Sequence, residues 1–367
     1  MEVSVEQVRR MMHESGAESG LRPPIRVLMV TSEWPTDDSG TAHFIVRQVK
    51  FLRALGVDVD VFHFRGGKKL GNYFRAWKQV RARIAQQNYD LMHAQFGQSG
   101  LLTWPKRLPL VVTYRGCDLL GVRKEKDGRK TFSGKCLQRL CQLNARRADA
   151  VILVSAHMRA YVPASAQVSI IPSGLDFDLF RCMPKEEARR RLGLPDSEHL
   201  VLFVGDPHEA RKRYTLAENA VAILRRTLPA RIILGWKVPH STIPVLMNAC
   251  DALIFTSCQE GSPNVVKEAL ACNLPVVSVR VGDVAQRLQG IEGCELCADE
   301  RPETIAACLE RVLRKGQRIN GRGAVQELSE WVLTEKVIAI YRSVLEKTAA
   351  PATNSRRAVG TAELVSR

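Results

Sequence analysis

Short apolar runs alternate with longer amphipathic segments throughout the first half of the chain. The segment 42–55 has helical periodicity and stops at Gly56, where a glycine favours the end of a helix. Strands that alternate with helices in this way predict a parallel, doubly wound sheet. The predicted strands of this half are 25–30, 58–62, 90–93, 110–113, 150–154 and 168–172.

The second half repeats the alternation. Its predicted strands are 200–205, 230–234, 251–256 and 275–279, and its last helix, 331–345, is apolar on one face. We therefore predict two α/β domains, at 23–172 and 173–330. The rest of the chain is predicted to form three segments: an N-terminal extension (1–22), a C-terminal helix (331–347) and a disordered tail (348–367).

The length agrees with two domains, because 367 residues exceed what one hydrophobic core usually supports. No apolar run is long enough to span a bilayer, and residues 1–22 contain no hydrophobic signal segment. Ten cysteines lie scattered without a paired framework, and Cys294 and Cys297 form one isolated C-x-x-C pair. We expect a cytoplasmic protein.

The formal net charge is +16, and the excess of cations lies in the first half, densest at 65–83 and 123–135. Within 73–84, aromatic and aliphatic residues recur at helical spacing among the cations. Such a helix can rest on an anionic membrane surface, peripherally at the inner face. Alternatively it is an ordinary surface helix that packs Phe74, Trp77, Val80 and Ile84 into the core, and both interpretations can hold together. No nucleic-acid-binding motif accompanies the charge, so nucleic acid is not expected as a partner.

The most informative segment joins a predicted strand, 251–256, to a predicted helix, 263–272. Ser262 suits the N-cap of the helix and Pro263 suits its first turn, while Gly261 allows a ligand to approach closely. Free N–H groups and the helix dipole make such a turn an anion site suited to phosphate. Glu260 and Glu268 bracket the turn, and carboxylates beside phosphates are better used to recognise hydroxyls. Two polyol groups flanking a diphosphate describe a nucleotide sugar.

This arrangement resembles the signature of the GT-B glycosyltransferases, specifically retaining family 4 (glycosyl transferases group 1), of surface-polysaccharide type. The extension 268–278 and Gly282-Asp283-Val284 are also typical of that family. The resemblance implies two Rossmann-like domains that face a central cleft, with the C-terminal helix crossing back to the first. Domain 23–172 would then bind the acceptor and domain 173–330 the nucleotide-sugar donor.

The same resemblance implies the residues of the donor site. Glu260 would hold hydroxyls of the transferred sugar, Glu268 would hold the ribose, and Lys212 with Arg211 would neutralise the diphosphate. Asp206 departs from the family pattern, in which an arginine often follows the glycine that precedes it. The remaining expected donor-binding residues are Gly40, Thr41, Gly205, Gly235, Gly261, Ser262, Pro263, Asn264 and Val265.

The first domain is expected to contribute His93, Arg115 and Asp118 to catalysis. Residues 113–118 resemble a strand-end motif that usually reads Thr-x-His-Gly-x-Asp, but Arg115 replaces the histidine. His93 ends an earlier predicted strand and is a candidate cleft residue or a structural histidine. Asp118 would accept hydrogen bonds from hydroxyls or pair with Arg115.

The expected activity is transfer of a hexosyl unit from a UDP- or GDP-linked sugar to a glycan or lipid-linked acceptor near a membrane. Retention of configuration is implied by the resemblance, and no metal or other cofactor is expected. One alternative is a catalytically weakened protein that binds nucleotide sugars, which the substitutions at Arg115 and Asp206 favour. Another is a sugar-nucleotide epimerase on the same fold.

Overall fold

The computed structural model describes residues 23–35, 42–67, 69–121 and 131–349. Gly40 and Thr41, both expected in the donor site, and most of the basic segment 123–135 lie outside these residues. The predicted domain boundaries stay predictions.

The first sheet has six parallel strands in the order β2-β1-β3-β4-β5-β6. Its strands are β1 Arg26–Thr31, β2 Asp58–His63, β3 Leu91–Gln95, β4 Leu110–Tyr114, β5 Ala150–Leu153 and β6 Val168–Ile170. The accompanying helices are α1 His43–Ala54, α2 Leu70–Gln86, α3 Cys117–Leu120 and α4 Phe132–Arg147. The central strands are buried on both faces, which explains their continuous apolar runs.

The second sheet has five parallel strands in the order β11-β10-β9-β7-β8. Its strands are β7 His199–Val204, β8 Ala230–Gly235, β9 Ala252–Phe255, β10 Val276–Ser278 and β11 Glu295–Leu296. The helices of this half are α5 Lys185–Leu192, α6 Tyr214–Leu224, α7 Ile243–Ala249, α8 Asn264–Ala271, α9 Val284–Leu288, α10 Pro302–Lys315, α11 Gly321–Ala324 and α12 Glu330–Ala349. The predicted α/β class with two parallel sheets is confirmed.

The C-terminal helix crosses back to the first domain, as predicted. Helix α12 packs against α1, and the Tyr341 hydroxyl lies 2.6 Å from Nδ1 of His93 in β3. At the start of α12, Glu330 forms a buried ion pair with Arg47 of α1 at 2.9 Å. One apolar core therefore continues from a face of the first sheet into the second domain.

The basic helix α2 packs one face into the core and leaves two apolar side chains exposed, while its contact with a membrane stays a prediction. Val80 is buried and Trp77 is partly buried, with its indole N–H donated to the carbonyl of Trp104 at 2.5 Å. Phe74, expected in the core by one interpretation, is instead 58% exposed, and Leu70 is 87% exposed. No helix in the described part of the chain is long and apolar enough to cross a membrane.

Candidate functional site

A cavity of about 700 Å³ opens between the two sheets. Its wall is built from loops that follow the carboxyl ends of strands, including those after β1, β3, β4, β7, β8 and β9. Parallel sheets bind ligands beyond these strand ends, because the connecting loops converge there. Most of the predicted site residues that the structure describes line this cavity.

The strand–turn–helix segment begins its helix one residue later than predicted. Pro263 is the N-cap of α8, and no side chain caps the helix. The hydroxyl of Ser262, which was expected to cap it, donates instead to Asp283 at 2.8 Å. The first N–H groups of an uncapped helix have no partner within the helix. Gly261, Ser262, Pro263, Asn264 and Val265 all line the cavity, so this turn faces the space where a ligand fits.

Glu260 and the two predicted phosphate cations form one cluster. The Glu260 carboxylate accepts hydrogen bonds from Lys212 at 2.8 Å and from Arg211 at 2.5 Å. Burial raises the pKa of Glu260, but the two cations outweigh burial and hold it below its usual value. Glu260 is therefore ionised. In this structure its negative charge is balanced by Lys212 and Arg211, the two cations that are expected to bind the diphosphate.

Glu268 has a different environment. Its side chain lines the cavity, is only 8% exposed, and receives no hydrogen bond from any residue that the structure describes. Burial raises its pKa, although Arg47 and Lys267 oppose this shift. Lys267, the preceding residue, turns the other way and donates to the carbonyl of Ser173 at 2.9 Å, in the segment that links the domains. Within the described part of the chain, Glu268 thus presents a carboxylate without a partner to the cavity.

Three glycines line the site, of which Gly205 is favoured by its positive φ and Gly261 is required by close packing. Gly205, at φ +136°, and Gly235 line the cavity, and the Gly205 N–H donates to the carbonyl of Gly235 at 3.2 Å. A Cβ on Gly261 would lie 2.4 Å from the carbonyl oxygen of Arg115. The first domain therefore packs closely against Gly261, and its Gly116 also contacts it, while the close approach of a ligand there stays a prediction.

The prediction that His93 faces the cleft is wrong. His93 is fully buried in β3, and its Nε2 lies 2.7 Å from the hydroxyl of Thr113 while Nδ1 contacts Tyr341. Burial lowers its pKa to about 3, with a smaller effect from Arg115, so it is neutral at physiological pH. The side chain points to the face of the sheet that α12 covers, and it helps to hold that helix.

Asp118 holds the loops of the first domain and does not present a free carboxylate. It accepts hydrogen bonds from the backbone N–H groups of Gly97, Arg115, Gly116 and Leu119, at 2.8 to 3.3 Å. The expected ion pair with the Arg115 guanidinium does not appear in its contacts, and the carboxylate instead fixes the turns after β3 and β4. Asp118 also lines the cavity, so hydroxyl recognition by this residue stays a prediction.

Arg115 lies in the cavity wall with its hydrogen bonds already made. Its guanidinium donates to Gln95 at 2.7 Å, to Ser173 at 2.7 Å and to Gln48 at 3.3 Å, and it stacks over the ring of Phe44. Burial lowers its pKa to about 10, against the effect of nearby carboxylates. Arg115 remains charged and is anchored by the protein.

Two family models match the chain: "Glycosyltransferase Family 4" over residues 38–179 and "Glycosyl transferases group 1" over residues 195–315. The chain belongs to the group 1 glycosyltransferases of GT-B fold. It is 26% identical over 330 residues to the putative teichuronic acid biosynthesis glycosyltransferase TuaC of Bacillus subtilis, covering 71% of this chain and 82% of that protein. It is 24% identical to the D-inositol 3-phosphate glycosyltransferase of Geodermatophilus obscurus, covering 98% of this chain and 87% of that protein.

Solved structures agree on the fold of this group 1 glycosyltransferase. Sucrose-phosphate synthase from Thermosynechococcus elongatus superimposes with a TM-score of 0.76 at 20% identity, covering 88% of this chain and all of that chain. Anabaena Alr3699/HepE in complex with UDP-glucose superimposes with a TM-score of 0.60 at 18% identity, covering 89% of this chain and 99% of that chain.

Several residues that line the cavity of this glycosyltransferase were not predicted from the sequence. His43 of α1 and His240 of the second domain stack across the cleft with ring centroids 4.5 Å apart. Glu33 and Gln98 line the first-domain wall after β1 and β3. Glu33 and Gln98 follow predicted strands 25–30 and 90–93 within five residues, and this position was a usable signal, because ligand-binding loops occur there. Which of these side chains lack partners could be learned only from the structure.

Proposed function

We propose that the protein transfers a hexosyl unit, with retention of configuration, from a UDP- or GDP-linked sugar to a glycan or lipid-linked acceptor. The observation that carries this proposal is the carboxylate of Glu268, which has no partner among the described residues and lies near the uncapped first turn of α8. A ribose diol would satisfy that carboxylate, and the diphosphate would lie against the helix N-terminus.

The ion-pair cluster supplies the second element of the proposal. When the diphosphate binds, its oxygens replace Glu260 as the partner of Lys212 and Arg211. Glu260 is then free to accept hydroxyls of the transferred sugar, while the cations stabilise charge on the departing diphosphate. We propose that these groups perform the electrostatic work without a metal ion, so transfer should persist in excess EDTA.

The acceptor is proposed to lie near a membrane in surface-polysaccharide synthesis. The name of TuaC, a teichuronic acid biosynthesis glycosyltransferase, supports the pathway class. The outer surface of α2 supports the location at the inner face of the membrane: Leu70 and Phe74 are exposed, and Arg75 and Lys78 flank them. Exposed apolar side chains among cations suit an anionic bilayer surface.

The donor proposal is tested with a panel of nucleotide sugars. Melting temperature identifies the nucleotide that binds, and release of UDP or GDP with membrane extract measures transfer. Glu268→Gln should weaken donor binding by about 10- to 100-fold, because a hydrogen bond to a charged group is lost. Glu335→Gln, an exposed carboxylate of α12, is the matched control. Unchanged donor affinity in Glu268→Gln would contradict the assignment.

The membrane proposal is tested by sedimentation with liposomes that contain anionic lipid. The double variant Leu70→Ser/Phe74→Ser should lose binding, whereas Val332→Ser, which removes an exposed apolar side chain from α12, should not. Equal binding of both variants and the wild type would remove α2 from the proposal.

A catalytically weakened donor-binding protein is the second candidate. Arg115 favours it, because this side chain stands where the family usually has a histidine and is bound by protein groups. The two candidates differ in turnover: the weakened protein would bind a donor but release no diphosphate with any acceptor. Recovery of turnover in Arg115→His would support it. The remaining alternative, an epimerase, is not favoured by any observed contact.

A further inference from the structure

Two hydrogen-bond acceptors on the first-domain wall of the cavity have no partner in the described part of the chain. Glu33 follows β1 and Gln98 follows β3, and these strands are neighbours in the sheet. No described residue donates a hydrogen bond to the Glu33 carboxylate, which is open to the cavity. The Gln98 amide nitrogen donates to Ser32 at 2.9 Å, while its oxygen Oε1 is buried without a partner. The donor site described above uses neither group.

The backbone that carries these groups is firmly held. The Thr31 hydroxyl donates to the carbonyl of Glu33 at 2.8 Å and accepts from its N–H at 3.2 Å. Asp118 accepts from the N–H of Gly97, and a Cβ on Gly97 would lie 2.2 Å from Sγ of Cys141. Phe96, which also lines the cavity, has φ +69°, an uncommon conformation for a non-glycine residue. Strain of this kind persists where surrounding contacts fix it, as at binding sites.

The chemistry of the wall restricts what can bind there. A carboxylate and an amide oxygen both require a donor of hydrogen bonds, and a sugar ring offers several hydroxyls. The two cations of the first domain that line the described cavity are already engaged: Arg47 by Glu330, and Arg115 by Gln95 and Ser173. A phosphate placed beside Glu33 would meet a like charge. Among the described residues, the nearby cations Arg115 and Arg211 are already engaged, the second by Glu260.

We propose that Glu33 and Gln98 form the acceptor subsite, and that it takes an uncharged sugar residue through its hydroxyls in preference to a phosphorylated polyol. This inference rests on the proposed transferase function. It separates this chain from those relatives that are named for D-inositol 3-phosphate. Phe96 lies in the same wall but is only 8% exposed, so it fixes the shape of the wall from within the core.

Ligand binding tests the subsite independently of turnover. Saturation-transfer NMR titrations use the methyl β-glycosides of glucose, galactose and N-acetylglucosamine, with D-inositol 3-phosphate as the charged probe. Each titration is run with and without the nucleoside diphosphate that stabilises the protein. The wild type should bind at least one glycoside more tightly than D-inositol 3-phosphate. Glu33→Gln should lower the affinity for that glycoside by about tenfold and leave the affinity for the nucleotide unchanged. Gln98→Leu should behave similarly, and Glu335→Gln should behave as the wild type.

The selectivity of binding distinguishes recognition from a structural role. Loss of the Glu33 charge should reduce the ratio of the affinity for the glycoside to the affinity for D-inositol 3-phosphate. A general disturbance of the wall would instead lower both affinities equally. Equal weakening, tighter binding of D-inositol 3-phosphate by the wild type, or no binding of any glycoside would overturn the proposal. Failure of the donor function looks different, because no nucleotide sugar would then raise the melting temperature or release diphosphate.

Discussion

The buried amine of Lys267 makes a quantitative prediction about stability. Its side chain is almost completely buried against the linker carbonyl of Ser173, and burial lowers its pKa from 10.5 to about 7, against the opposing effects of Asp283 and Glu268. Between pH 7 and 10.5 the unfolded chain therefore holds a proton on this amine that the folded protein lacks. The free energy of unfolding should rise by about 1.4 kcal/mol per pH unit, or about 5 kcal/mol over the whole interval. Below pH 7 this contribution is constant, because the amine is protonated in both states.

The substitution Lys267→Met should remove this dependence of the free energy of unfolding on pH. Urea unfolding followed by tryptophan fluorescence at pH 7, 8, 9 and 10 gives the free energy of unfolding of each protein. The free energy of unfolding of the wild type minus that of the variant should rise by about 1 kcal/mol or more per pH unit. The contributions of the other titrating groups cancel in this difference. Lys336→Met, an exposed lysine of α12, supplies the control, and its difference should stay flat. A flat difference for Lys267→Met as well would refute the assignment of a depressed pKa to this amine.

Two further substitutions test contacts between the domains. Gly261→Ala should lower kcat/KM by about 10- to 100-fold, because the added Cβ meets the carbonyl of Arg115 and displaces the loop by roughly 1 Å; Gly71→Ala, with nothing within 4 Å of its Cβ, should retain full activity. Glu330→Gln should lower the free energy of unfolding by about 3 kcal/mol, because Arg47 stays buried without its charged partner. Chemical denaturation measures this loss, and a double variant with Arg47→Leu that recovers no stability would contradict the explanation.

The sheets could be predicted from the sequence because both faces of each parallel sheet are covered. A strand buried on both sides is a continuous apolar run, and predicted strand 25–30 differs from β1, Arg26–Thr31, by one residue. Helix limits were similarly close: predicted helix 42–55 is α1, His43–Ala54. These features depend on neighbouring residues in the chain, so local pattern determines them.

The errors concern side chains whose partners are distant in sequence. Ser262 suits an N-cap by its type, yet its hydroxyl finds Asp283 in another loop. His93 ends a predicted strand, but its partner is Tyr341, which is 248 residues away. Local sequence can place a residue near a strand end, but it cannot show which long-range contact satisfies its polar atoms. For the same reason Glu33 was not identified as a residue of the cavity wall.

The contact of Gly116 with Gly261 has a thermodynamic consequence. The loop expected to bind the donor is shaped partly by the first domain, and Gln259, just before it, donates to the carbonyl of Gly121 at 2.8 Å. The packing of the first domain against this loop and the affinity for donor are therefore coupled quantities. If this packing strengthens donor binding by some factor, the donor must favour the packed arrangement by that same factor. A substitution on the far side of the first domain that loosens this contact would then appear as a loss of donor affinity, although it touches no ligand.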